Sequence, residues 1–446
     1  YNSKDKQKHL LHRSLTSGGD ILFEDAVVSL LIFIIVYLFI ILEKHHRAVI
    51  TMLGGSAALF LVFKDPIEAL VRYVDFNTIF LLIGMMIFVS VTKRSGLFHF
   101  LGLYSIKLSR GSVFFFFVSI NFLVALLSSF LDNVTTILVF VPVTLVVCDT
   151  VDLDPVPFVI SEIISSNIGG TATMIGDPPN IMIASAAKLH FLDFVVNVAP
   201  AAVLTLIVTL IFLSAVYRRV IFRKIPVEVV KGFEPRRAIV DKKLFYLSII
   251  LTLVVLVLFS LQKPLGLESF EVALLAGFLS LAFLNKKDIE DVFKEIEWGV
   301  IFFFIGLFLV VGALEEAGVL EKISELVIRL SKGKMEGTLI SILGISGLSS
   351  AFVDNIPFTA TMIPVIKKLA VLAPETFSDL RPLWWALSLG ACLGGNGTLI
   401  GASANVVGTS LIADRKHITF WEYFKIGFPV LILSLLVSGV YLLIRY

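Results

Sequence analysis

Charge is what this sequence has least of. Only 16% of its 446 residues are Asp, Glu, Lys or Arg, while 57% are hydrophobic; an average soluble protein carries roughly 25% charge. The 37 basic and 35 acidic side chains cannot cover the surface of a soluble chain this long. Most of the protein is therefore expected to face lipid or other helices. The formal net charge is only +2, so no basic field attracts nucleic acid, and none is expected as a partner. Cysteine is scarce too. Cys148 and Cys392 lie in or beside apolar runs, offer neither a disulfide framework nor metal-ligand spacing, and read as small buried residues. No resident cofactor is expected. Residues 1–25 form a polar tail without a signal-peptide pattern.

What is present instead is a series of apolar runs. A helix needs about 20 apolar residues to span a bilayer. Plain spans are expected at 26–42, 47–63, 76–92, 196–217, 244–262, 268–284, 296–313 and 424–444. Four further apolar regions are interrupted: 112–148, 156–187, 335–366 and 382–412. Segments 97–110 and 319–333 read as short amphipathic helices near an interface, and Trp384, Trp385 and Trp421 as interfacial belt residues. The polar linker 218–243 carries nine basic and three acidic residues, which makes it cytoplasmic by the positive-inside rule. Lys4, Lys6, Lys8 and Arg13 in the tail oppose that orientation, and the linker outweighs them.

An internal repeat organises these runs. A shift of 222 positions carries Val74-Asp75-Phe76 onto Ile296-Glu297-Trp298 and Gly96 onto Gly318. The same shift carries Ser128-Ser129-Phe130-Leu131-Asp132-Asn133 onto Ser350-Ala351-Phe352-Val353-Asp354-Asn355, and Pro142 onto Pro364. Three more residues of shift carry Gly169-Gly170-Thr171-Ala172-Thr173 onto Gly394-Gly395-Asn396-Gly397-Thr398, and Asn180 onto Asn405. Each half contains five crossings, and a segment that enters and leaves on one side does not change that parity. The halves then insert with opposite orientation, as in secondary transporters. The expected fold is an all-α polytopic membrane protein of two inverted repeats, with about ten crossings and two re-entrant hairpins. Its parts are the tail 1–25, a first repeat 26–217, the linker 218–243 and a second repeat 244–446.

Length identifies the hairpins. Gly337 to Pro364 makes roughly 42 Å of helix, whereas two full spans need about 60 Å. The segment 335–366 must turn back at a tip near Asp354-Asn355, and 112–148 by the repeat near Asp132-Asn133. The other two interrupted regions break outright. Gly176-Asp177-Pro178-Pro179-Asn180 cannot continue a helix, because adjacent prolines remove donors and clash with the preceding turn. Its partner, Gly394-Gly395-Asn396-Gly397-Thr398, is glycine-rich. Such breaks are tolerated at membrane depth only where they are buried in protein or line a cavity.

Polar residues at these breaks are the candidate site. Asp132 is the sole charge in 112–148, Asp354 the sole charge in 337–366, and Asp177 has Ala402 as its repeat partner. An intramembrane carboxylate is costly and points to function. It can also simply cap the helix leaving each tip, and such a cap is itself a set of oxygen donors for a cation. Asp132, Asn133, Asp354 and Asn355 are thus candidate Na⁺ ligands. Thr136 and Thr359 add neutral oxygens, and Asn167, Thr171, Asn180, Asn396, Thr398 and Asn405 either face the same cavity or satisfy broken backbone. Gly169, Gly170 and Gly395 serve backbone shape and close approach. Glu162 reads as an interface-facing carboxylate, with a proton relay as the alternative.

The strings Leu131-Asp132-Asn133-Val134-Thr135-Thr136, Ile175-Gly176-Asp177-Pro178-Pro179-Asn180 and Val353-Asp354-Asn355-Ile356-Pro357-Phe358-Thr359 carry a family resemblance, as do Asn167-Ile168-Gly169-Gly170 and the stretch from Gly394 to Asn405. They resemble the arsenite-permease/sodium–proton-antiporter branch of the ion transporter superfamily, and within it the P-protein family of oculocutaneous albinism and its microbial relatives. The resemblance covers nearly all of 26–446. It implies a homodimer in which a transport domain, holding the hairpins and broken helices, moves as an elevator against a scaffold. The superfamily's sodium-coupled dicarboxylate carriers place Ser-Asn-Thr at the hairpin tips, where this chain has Asp132-Asn133 and Asp354-Asn355. The extra acids, with no Lys or Arg in these segments, suit Na⁺ or H⁺ better than a dicarboxylate.

The expected function is a secondary active transporter of a small inorganic ion in the cell membrane, with Na⁺ or H⁺ as coupling ion. Arsenite or antimonite efflux, and a chloride-like anion carrier or channel, are the alternatives, since anions can bind at helix N-termini and glycine amides. An intramembrane aspartyl protease would need Gly-x-Gly-Asp, and Met174-Ile175-Gly176-Asp177 lacks the first glycine.

Overall fold

The computed structural model describes residues 25–42, 44–330 and 334–446. The polar tail, apart from Asp25, lies outside the described residues, as do 331–333 at the end of the second expected amphipathic segment. Among the described residues the protein is all helix, and eight helices are long and apolar enough to cross a membrane. Large apolar side chains on them, among them Ile34, Ile211, Leu253 and Leu436, stand more than half exposed. Such surfaces are stable only against lipid or another protein. The protein is a multi-pass membrane protein.

Helix boundaries follow the repeat. Phe76–Arg94 and Trp298–Glu316 both have 19 residues, and Leu97–Leu108 and Val319–Leu330 both have 12. The turns before the latter pair use Gly96 and Gly318, both at positive φ (83° and 70°), where a side chain would be strained. Two amphipathic helices not foreseen above, Pro66–Tyr73 and Lys286–Glu295, also correspond under the shift. Arg47–Leu61 and Ser269–Leu281, at 15 and 13 residues, are shorter than their expected spans.

Packing divides the chain into two units. One holds the described residues up to Phe76, Trp298–Lys334 and Ala360–Ser378. Within it Arg47–Leu61 lies along Trp298–Glu316, and a Cβ on Gly55 would sit 3.1 Å from the Gly306 Cα. Tyr73 and Arg72 both bond the Glu316 carboxylate there. The other unit holds Asn77–Glu297, Met335–Thr359 and Asp379–Tyr446. It repeats that glycine contact with the corresponding residues, since a Cβ on Gly277 would sit 2.7 Å from the Gly84 carbonyl. Ile87, Val91, Leu281, Val292 and Ile296 form an apolar cluster in this second unit.

Eight helices, α1–α8 in chain order, carry the interrupted regions. In the first repeat these are α1 (Val113–Ser128), α2 (Asn133–Val151), α3 (Val156–Thr171) and α4 (Pro178–Ala187). In the second they are α5 (Met335–Ser350), α6 (Asn355–Leu372), α7 (Arg381–Gly394) and α8 (Ser403–Ser410). The chain leaves helix between α1 and α2, between α5 and α6, and at both expected breaks, 172–177 and 395–402. Pro142 and Pro364 sit inside α2 and α6 at corresponding positions.

Candidate functional site

The two repeats build their breaks from the same contacts. The Ser128 hydroxyl on α1 donates to the Ser166 carbonyl at 2.7 Å, and its counterpart Ser350 on α5 donates to the Ala391 carbonyl at 2.6 Å. Thr173 donates to the Ser129 carbonyl as Thr398 does to the Ala351 carbonyl. Gly169 meets the Ala125 backbone, and Gly394 the Gly347 carbonyl, where any Cβ would collide. The loops close on themselves likewise. A Cβ on Gly170 would lie 2.8 Å from the Gly176 carbonyl, and one on Gly395 would lie 3.1 Å from the Ala402 Cβ.

Within this frame the asparagines form one connected network. Asn133 donates to the Asn167 side-chain oxygen at 2.9 Å, and the Asn167 amide donates to both Asn396 and Asn405 oxygens, each at 2.9 Å. Asn405 in turn bonds the Gly395 and Thr398 carbonyls at 2.7 Å. Its counterpart Asn180 bonds the Thr171 and Thr173 carbonyls and accepts from Ser388 at 2.6 Å. These amides thus do two jobs, satisfying broken backbone and linking sequence positions more than 200 residues apart. All are buried, and all but Asn133 completely so, where an unpaired amide would be costly. Yet the Asn396 Nδ2 and the Thr359 hydroxyl are buried without a partner.

The three aspartates are not alike. Asp132 accepts the Thr135 N–H at 2.8 Å and Asp354 the Ile356 N–H at 3.0 Å, so both cap helices, and both remain partly open. Asp177 precedes Pro178-Pro179, makes no cap bond and is 1% exposed. Asn355, the first residue of α6 in the other repeat, donates to its two oxygens at 3.4 and 3.2 Å. The charges of Asp354 and Asp132 both bear on it, and the Cys392 thiol, on α7, bonds the neighbouring Asn180 oxygen at 3.5 Å. Among the described residues no trio of His, Cys, Asp or Glu converges as a metal site. Thr136 and Thr171 return their hydroxyls to carbonyls one turn back, at Asp132 and Asn167. Neither these hydroxyls nor that of Thr359 enters the amide network.

A cavity of about 190 Å³ reaches Asp132 and Thr135, lined also by Ser90, Lys93, Glu295 and Glu297. None of these four stands at a helix break, so the sequence alone does not mark them. A second omission is Asn121 on Phe-rich α1, which accepts from Ser165 at 2.8 Å and donates to the Ser161 hydroxyl. The serines at 161 and 165, spaced for one helix face, were the available signal. Two expectations are corrected. Glu162 is fully buried and does not face an interface. Trp384 and Trp385 are 4% and 1% exposed rather than belt residues, because α7 is enclosed from Pro382 to Gly394, and Trp385 packs edge-on against Phe194.

Comparison with known proteins agrees with this architecture. Residues 37–390 match the family described as citrate transporter, CitMHS. The 46 kDa membrane protein of Mycobacterium leprae is 34% identical over 428 residues, covering 94% of this chain and 99% of its own. The human P protein is 32% identical over 483 residues, covering 90% of this chain but 58% of its own. The crystal structure of the Alcanivorax borkumensis YdaH transporter shares the fold alone, with a TM-score of 0.59 at 13% identity, over 84% of this chain and 86% of that one. The protein stands within a broad superfamily of secondary ion transporters, and its general function is transport rather than catalysis. By the match over most of its length, the chain belongs to the citrate transporter family.

Proposed function

We propose that the protein is a secondary active carrier of a small inorganic ion, coupled to Na⁺ or H⁺, with Asp177, Asp132 and Asp354 as its cation or proton sites. The observation that carries this reading is Asp177, a buried carboxylate at a helix break, held by side-chain amide from the opposite hairpin tip. Segments 112–148, 156–187, 337–366 and 382–412 contain no Lys or Arg to balance it. A bound cation or proton neutralises the acids before they move through the membrane, which makes translocation conditional on loading. Asn133, Asn167, Asn396 and Asn405 position the two breaks, and the partnerless Asn396 Nδ2 and Thr359 hydroxyl are polar atoms free to meet a ligand. Citrate, the substrate in the family's name, would need cationic partners that these segments lack.

In this reading the repeats are inverted and α1–α2 and α5–α6 are re-entrant hairpins. At 16 residues each, α1 and α5 make about 24 Å of helix, short of the roughly 30 Å of a hydrocarbon core, while the second arms α2 and α6 are among the eight helices long enough to cross. The hairpins and broken helices move as an elevator in a homodimer, the linker 218–243 is cytoplasmic, and the chain falls in the arsenite-permease/antiporter branch. Flux into proteoliposomes across a panel of Na⁺, arsenite, chloride and citrate, each with Na⁺ and pH gradients, tests it. Saturable countertransport is expected, and Asp132→Asn and Asp354→Asn should abolish it without loss of folded protein. Wild-type rates in both variants, or conduction without countertransport, would sink the proposal.

A further inference from the structure

Glu162 is a buried acid that the reading above does not use. It lies in the middle of α3 with no exposed surface. Thr144 on α2 donates its hydroxyl to one carboxyl oxygen, and the other, Oε2, is buried with no partner at all. The elements packed on α3 are α1, α2, α7, α8 and the helix Ala199–Val216. Neither α1, α8 nor Ala199–Val216 carries a titratable side chain. On α7 the candidates are Arg381, engaged by Asp379, and Cys392, beside Asp177. On α2 they are Cys148, whose thiol feels the Glu162 charge, and Asp149, paired with Arg415 at 2.6 Å. No cation therefore balances Glu162.

The fold does not require an acid there. The corresponding residue of the second repeat is Leu387, in an equally buried helix. An ionised carboxylate without a counter-ion is among the costliest groups to bury, whereas a neutral carboxyl can keep the Thr144 bond on Oε1 and its proton on Oε2. Glu162 also lies five residues before Asn167 on the same helix, about 7.5 Å along its axis.

We propose that Glu162 is a proton-binding site of the transport cycle, separate from the aspartates. The proposal rests on the carrier reading and deepens it by making H⁺ one of the coupling ions. Purified full-length protein should show the infrared carbonyl band of a protonated carboxyl that shifts in heavy water and bleaches reversibly at alkaline pH. That band should be missing from both Glu162→Gln and Glu162→Leu, the second being the residue the other repeat already tolerates. In proteoliposomes, sodium flux driven by a pH gradient should fall to the level of protein-free vesicles in Glu162→Gln, while sodium–sodium exchange persists. A band unchanged in both variants, or a wild-type response to the pH gradient in Glu162→Gln, would overturn the proposal. If the wild type moves no sodium at all, the carrier reading for that ion fails, and the infrared comparison still decides the proton site.

Discussion

The two repeats share their backbone contacts and differ in what fills them. In the first, the Asn133 amide at the start of α2 finds Asn167 on α3; in the second, Cys392 stands at the corresponding position, and Asn355 bonds Asp177 of the other repeat instead. Asn167 and Cys392 each reach across, to Asn405 and Asn180 respectively, but an amide makes three bonds there and the thiol only weak ones. Three further departures put an acid or an amide on the first repeat alone, Asp177 against Ala402, Glu162 against Leu387 and Asn121 against Leu343, while the second answers with hydroxyls, Thr359 against Ile137 and Ser388 against Ile163. The shared residues build the breaks, so they are under a structural constraint in both halves. The residues that differ are released from that constraint, which makes them the better guide to chemistry.

The largest effect should come from the pair in which a charge stands against a methyl group. Asp177→Asn keeps the size of the side chain and an oxygen for the Asn355 amide, and removes the charge. Flux is expected to fall below detection, with expression and melting temperature in detergent near wild type. Ala402→Ser, at the corresponding position, should leave flux within about twofold, since a hydroxyl adds neither charge nor much volume. Equal losses from both substitutions would mean that the break tolerates no change, and that the charge is incidental.

A smaller effect, on stability, should separate Asn167 from Cys392. Asn167→Ala leaves the Asn133 amide and the Asn396 and Asn405 oxygens short of partners in a buried site. Each unsatisfied group costs about 1–3 kcal/mol, so a loss of several kcal/mol is expected in detergent denaturation. Cys392→Ala removes one weak thiol donor and a small volume, and should lose about 1 kcal/mol. If the two lose equally, the asymmetry between the repeats is one of shape rather than of hydrogen bonding.

What was legible beforehand follows the same division. Spans, breaks and the repeat could be read because proline, glycine and long apolar runs act locally on the backbone, and Pro178-Pro179 interrupts a helix wherever it is placed. The candidate residues Asn167, Asn180, Asn396 and Asn405 could be named because the repeat pairs them with the breaks. Their partners could not, since the Asn355–Asp177 bond joins residues 178 positions apart across two repeats. Glu162, Trp384 and Trp385 were misplaced for a single reason. A helix apolar on every side gives no hint of which face meets lipid, and α3 and α7 meet none.

The smallest effect tests the comparison outside the membrane. Asp154 and Asp379 correspond, and each accepts the N–H two residues on, from Val156 at 3.1 Å and Arg381 at 2.9 Å. In the second repeat the guanidinium of Arg381 also bonds the carboxylate, which holds Asp379 below the usual carboxylate range, whereas Asp154 meets a more distant cation, Lys416 at 3.8 Å. A carboxylate depressed in the folded state adds stability above its unfolded pKa, near 4, and that stability is lost as pH falls through the folded value. Both partners are largely exposed, so solvent and salt limit the pair to about 0.5 kcal/mol or less. Arg381→Val, which copies the first repeat, should therefore melt slightly below wild type at neutral pH, and the gap should close in acid and in high salt. A gap that is constant with pH would assign the loss to the packing of the arginine stem, and the two turns would then differ in shape and not in charge.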